Sequence, residues 1–81
     1  QTPQQQLWGA GEAVFGDDWD LARGWLIAGW TARNTPANTR NSSSDLTDAE
    51  RVQIADYITG KATELVEPWR KQKLNMAKAT A

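Results

Sequence analysis

The stretch from Gly16 to Arg33 holds three of the chain's five tryptophans. Trp19, Ala22, Leu26 and Trp30 recur three or four residues apart, with Trp25 and Gly29 beside them, a spacing that lines one face of a helix. Asp17 or Asp18 supplies its N-cap, and acids in a first turn suit the positive end of a helix dipole. So bulky an apolar face must be covered, and the other segments are expected to pack against it.

A chain of 81 residues makes one small domain with little stability to spare. It has no cysteine and no histidine, which excludes disulfides and thiolate metal sites and removes the commonest metal ligand and general base. The tryptophans compensate by burying large apolar area in defined geometry. No apolar run reaches the roughly eighteen residues that a membrane span needs. Gln1 to Gln6 lacks the basic start and apolar middle of a signal peptide and reads as the cut end of a linker. The expected layout is a linker end at 1–6, a domain at 7–69, and a basic tail, frayed or disordered, at 70–81, in a cytoplasmic protein.

Taken in order, Gln4 to Phe15 reads as a first helix, with Leu7, Ala10, Val14 and Phe15 on one face and Pro3 at its start. Gly9 and Gly11 weaken it and are expected to admit another helix closely, as are Gly24 and Gly29 in the second. Gly16 ends the first helix, and the short turn makes the first two helices neighbours. Thr35 to Asp45 is a polar loop. Thr47 and Glu50 form a capping box, with Leu46 placed for a hydrophobic staple. A third helix follows, with Val52, Ala55, Ile58, Ala62, Leu65 and Val66 on one face and Ile54 at its edge. Pro68 should stop or kink it, with Trp69 closing the core. The result is an all-α fold, a small three-helix bundle with a polar loop between helices 2 and 3.

Catalytic chemistry has little to work with. Ser42, Ser43 and Ser44 have no base in their loop, and Asp17, Asp18 and Asp20 lack the glycine turn and distal glutamate of a calcium loop. No enzyme activity, cofactor or metal is expected. Charge is unevenly placed: ten acids face five basic residues up to Pro68, and Arg70, Lys71, Lys73 and Lys78 follow with no acid. A helical module contacting single-stranded nucleic acid would use Trp8, Arg40, Arg70, Lys71 and Lys73. A better fit is an apolar groove that receives a short acidic and aromatic peptide, rimmed by some of Arg23, Arg33, Arg40, Arg51 and Lys61. Arg23, Trp30, Arg33, Arg40 and Lys61 are its candidate contacts.

The order of the signals carries a resemblance. Phe15-Gly16-Asp17-Asp18-Trp19-Asp20, then Arg40 with Ser42 to Ser44, then Asp45-Leu46-Thr47-Asp48-Ala49-Glu50 resemble the C-terminal helical module of phage single-strand annealing and recombination proteins of the Erf and Red-beta kinds. The matching positions are Trp19, Arg40, Ser43, Leu46 and Thr47, which adds Ser43 to the partner-binding candidates. The resemblance implies a recruiting module within a larger DNA-recombination protein, whose partner is an exonuclease or the acidic tail of single-stranded-DNA-binding protein. A structural piece of a larger nucleoprotein complex is the remaining alternative.

Overall fold

Thr2 opens the first helix. Its hydroxyl accepts from the Gln5 N–H at 3.1 Å, while the Gln5 side chain accepts from the Thr2 N–H at 2.9 Å. This capping box, with Pro3 in the first turn, starts the helix inside the segment expected to be a linker end, so Pro3 to Gln6 are helical. The computed structural model describes residues 1–80. It contains α1 (Pro3–Phe15), α2 (Trp19–Asn34), α3 (Asp48–Gly60) and α4 (Ala62–Thr80), with 3-10 turns at Gly16–Asp18 and Ser43–Asp45. Among the described residues there is no strand, and no helix is long and apolar enough to cross a membrane. The all-α bundle read from the sequence is the fold observed.

The expected third helix is two helices. It breaks at Lys61 (φ −116°, ψ 20°), directly after Gly60, and not at Pro68, which lies inside α4. Glycine gives the cheaper interruption. Pro68 and Glu64 are both exposed, so water can take the place of the N–H that proline lacks. The segment from Arg70 to Thr80 is helical, where a frayed or disordered tail was expected; Ala81 lies outside the described residues.

The break also changes which residues form the core. Ile54, placed at an edge by a continuous stripe, is fully buried with Ala55 and Ile58, while α4 contributes Leu65 and Trp69. The α2 stripe is as expected: Trp19, Ala22, Leu26 and Trp30 are buried, and Ile27, which lay off it, is buried too. Leu46 also joins the core. The fourth helical position after its cap is Arg51, which offers no apolar partner for a local staple.

α1 packs most closely on α3, and it meets α2 through Trp8, Gly11 and Phe15 on Trp19. The turn between α1 and α2 rests on Gly16, whose φ of 58° L side chains rarely adopt and whose N–H donates to the Glu12 carbonyl. Of the glycines expected to admit a neighbouring helix, Gly11 does so, taking the Trp19 ring of α2 against its backbone, and Gly9, Gly24 and Gly29 do not. A Cβ on Gly9 would meet nothing within 4 Å, whereas one on Gly11 would lie 2.3–2.4 Å from three ring atoms of Trp19. At Gly24 the polar loop passes over α2, with the Asn41 carbonyl 3.6 Å from a Cβ position, and at Gly29 the Arg33 side chain fills the space at 3.3 Å.

Trp19 is therefore seated on bare backbone. Phe15 stacks beside it (6.0 Å, 18°) and Trp8 meets it edge-on (5.7 Å, 89°). Phe15 in turn meets Trp69, and Trp69 meets Trp25. Gly11→Ala should lower stability by about 1–3 kcal/mol, because overpacking outweighs the gain in helix propensity. Gly9→Ala on the same helix should raise it by about 0.5–1 kcal/mol. Urea unfolding of the two variants beside the parent checks both signs.

Candidate functional site

An apolar groove of about 280 Å³ opens where α2, α3 and α4 meet. From α2 come Trp25, Leu26, Gly29 and Arg33; α3 supplies Tyr57; Leu65, Pro68 and Glu64 belong to α4; and Lys61 stands at the break between the last two helices. Trp25 is half-buried and leans on Trp69 at 5.5 Å between ring centres. The helix break places Lys61 on the lining of the groove, and the missing side chain at Gly29 leaves room for the Arg33 guanidinium, whose Nη1 lies 3.3 Å from the Cβ position.

Charge at the rim is fixed by two contacts. Arg33 donates from Nη2 to the Tyr57 hydroxyl at 2.9 Å, its guanidinium carbon 5.6 Å from the ring centre. Lys61 lies 3.4 Å from the Glu64 carboxylate, with both side chains more than half exposed, so the pair is weak and solvent-screened. Two cations and one carboxylate thus surround apolar walls, an arrangement that accepts a large apolar side chain next to an anionic group.

Of the six partner-binding candidates the structure brings together only Arg33 and Lys61. Trp30 is a core residue, 7 % exposed. Arg23 lies 3.2 Å from Asp20 and covers Trp8, 5.1 Å from its ring centre. Ser43 works through its backbone: its carbonyl accepts from Arg51 Nη2 at 2.9 Å and from Nε at 3.2 Å. Tyr57, absent from the sequence expectation, is the wall that defines the groove. Its position on the edge of the α3 apolar face, an aromatic body with a polar tip, is the signal that could have found it.

Arg40 is committed to the fold. Its Nη1 donates to Glu50 Oε1 at 2.6 Å and to the Asp45 carbonyl, its Nη2 to Glu50 Oε2 and the Thr35 hydroxyl, and its Nε to the Asn38 carbonyl. Its backbone N–H donates to the buried Thr31 hydroxyl at 3.0 Å. Glu50 serves twice, pairing with Arg40 and accepting from the Thr47 N–H at 2.9 Å to complete the α3 cap. The Arg40 guanidinium and the Thr47 N–H together hold its carboxyl down to about 2, from an ordinary 4.5.

Of the residues of the nucleic-acid alternative, Trp8, Arg40, Arg70 and Lys73 are likewise engaged. Trp8 lies between Trp19 and Arg23, Arg70 sits 3.5 Å from Glu67, and Lys73 holds Asp18 at 2.8 Å. Asp18, at the N-cap position of α2, makes no side-chain cap bond. It accepts instead from the Lys73 ammonium at 2.8 and 3.0 Å and from the Trp69 indole N–H at 3.1 Å, and these two donors, Lys73 foremost, lower its pKa. Among the described residues no group of three acidic side chains is placed to hold a metal ion. No known protein family, no curated protein and no solved structure matches this chain.

Because the folded pKa of Glu50 is depressed, its contribution is full above about pH 4.5 and is lost as pH falls through about 2. Glu50→Gln should be less stable than the parent at neutral pH, and the two should converge towards pH 2. Thermal unfolding followed by circular dichroism from pH 7 to 2 measures the convergence, and parallel curves would show that Glu50 titrates normally.

Proposed function

We propose that this chain is a non-catalytic recruiting module that takes a short acidic peptide, carrying an aromatic or large aliphatic side chain, into the groove between α2, α3 and α4. The supporting observation is the juxtaposition of Trp25, Tyr57 and Leu65 with Arg33 and Lys61 around one opening. The apolar walls would take the side chain and the two cations the carboxylates, a division of labour common in peptide recognition. Arg33 is held by Tyr57 before any ligand arrives, so less side-chain freedom is lost on binding.

The motifs that resemble the recombination-protein module serve the fold in this chain. Trp19, Leu46 and Thr47 supply core and cap, and Arg40 ties down the loop. That resemblance suggests a setting in phage or prophage DNA recombination, with the acidic tail of single-stranded-DNA-binding protein as a candidate ligand. The groove's chemistry agrees with such a ligand, because a chain end that is both acidic and aromatic meets both halves of it.

Isothermal titration calorimetry with an acidic peptide ending in phenylalanine, and in parallel with oligo-dT, tests the proposal. A micromolar Kd for the peptide, about −8 kcal/mol, is expected, with a negative heat-capacity change from apolar burial. Arg33→Ala should weaken it by about tenfold, the loss of roughly one charged hydrogen bond. Tyr57→Ala should weaken it by at least as much, since it removes a wall and frees Arg33. Heat with oligo-dT alone, falling steeply with salt, would move the function to nucleic acid. No heat with either would leave the groove without this role.

A further inference from the structure

Beyond Trp69, the last buried residue, α4 continues to Thr80, and from Arg70 to Ala79 every residue is exposed except the half-buried Gln72. Arg70, Lys71, Leu74, Ala77 and Lys78 fall at i, i+1, i+4, i+7 and i+8, one face of the helix, turned away from the side that carries Leu65 and Trp69 into the core. Leu74 is 62 % exposed, more than the other exposed large hydrophobics, Leu21 and Met76. With Arg70, Lys73 and Ala77 it lines a shallow apolar depression of about 390 Å³. A helical segment this short is marginal in water by itself. Lys73 fastens it to the body by donating to both carboxylate oxygens of Asp18, at 2.8 and 3.0 Å.

We infer that this strip is a docking surface for an acidic amphipathic helix of a partner protein, one apolar side chain seated on Leu74 and Ala77 and its carboxylates facing Lys71 and Lys78, with Arg70 beside its own Glu67 at the end of the strip. Charge complementarity selects the occupant, because no acidic residue follows Glu67 in the sequence. A second copy of the chain packed strip to strip would set these cations against their own copies. A lipid surface needs more apolar area than one leucine presents. Phosphates would have no use for the apolar centre, and the strip carries no aromatic ring on which a base could stack. None of the strip's residues lines the groove between α2, α3 and α4, so the two surfaces are separate.

The test is fluorescence anisotropy with a labelled helical peptide that has leucines along one face and glutamates elsewhere. Its controls are a scrambled peptide of the same composition, oligo-dT, and vesicles rich in phosphatidylserine. The patterned peptide should bind saturably, and the scrambled one about tenfold more weakly, because only the first aligns an apolar seam with Leu74. Leu74→Asn should weaken binding by about tenfold with the unfolding midpoint unchanged, and the Lys71→Glu, Lys78→Glu double variant by at least as much. Arg33→Ala should leave this binding as it was, which separates it from the groove. Equal binding of both peptides, indifference to Leu74→Asn, loss on Arg33→Ala, or binding to oligo-dT or vesicles alone would each overturn the inference.

Discussion

The contact of Trp19 with Gly11 decides how the bundle is assembled. An indole placed directly on the backbone of α1 leaves no space for even a methyl group at position 11. It brings α2 in at the height of its bulkiest side chains. Trp8 and Phe15 then close around the same ring from one turn before and one turn after. The indole N–H of Trp19 is buried and has no acceptor among the described residues, so the seat is chosen for shape. An unmade hydrogen bond of this kind costs about 1–3 kcal/mol, which the packing around a ring this large must exceed.

The polar half of the molecule has a comparable centre. Thr31, fully buried in α2, receives the Arg40 N–H and donates its hydroxyl to carbonyls at Ile27, Ala28 or Arg40. The guanidinium of the same arginine closes on Glu50 at the start of α3. A loop that the sequence marks only as polar is thereby stitched to the helix before it and the helix after it. Few residues achieve this, because arginine offers five donors in a rigid fork and glutamate accepts from two directions at once.

What the sequence makes legible follows from how local each signal is. The α2 stripe, the Gly16 turn and the Thr47–Glu50 cap are all encoded within a few residues, and they stand in the structure where the spacing puts them. The equally local Thr2–Gln5 cap was hidden by a glutamine-rich segment that resembles a linker. Interactions between distant segments could not be read. Asp18 looks like a helix cap and instead accepts from Trp69 and Lys73 across more than fifty positions. Arg40 looks like a free cation and is the most heavily bonded side chain of its loop. The groove itself depends on the helix breaking at Lys61, directly after Gly60, and not at Pro68, which α4 carries at an exposed position. Only Arg33 and Lys61 of the expected contacts were placed by that outcome, and Tyr57 came with them.

The rings of Trp8, Trp19, Phe15, Trp69 and Trp25 run in unbroken succession through the domain, neighbouring centres 5.5–6.2 Å apart. At such separations the electronic transitions of the indoles couple. The coupling is within two indole pairs, Trp8 with Trp19 and Trp25 with Trp69, because Phe15 between them absorbs at higher energy than an indole. The near-ultraviolet circular dichroism of this protein will therefore carry exciton bands that depend on the relative tilt of the rings. A small rotation of Trp25 at the groove would appear there as a change in band shape, with no dye attached.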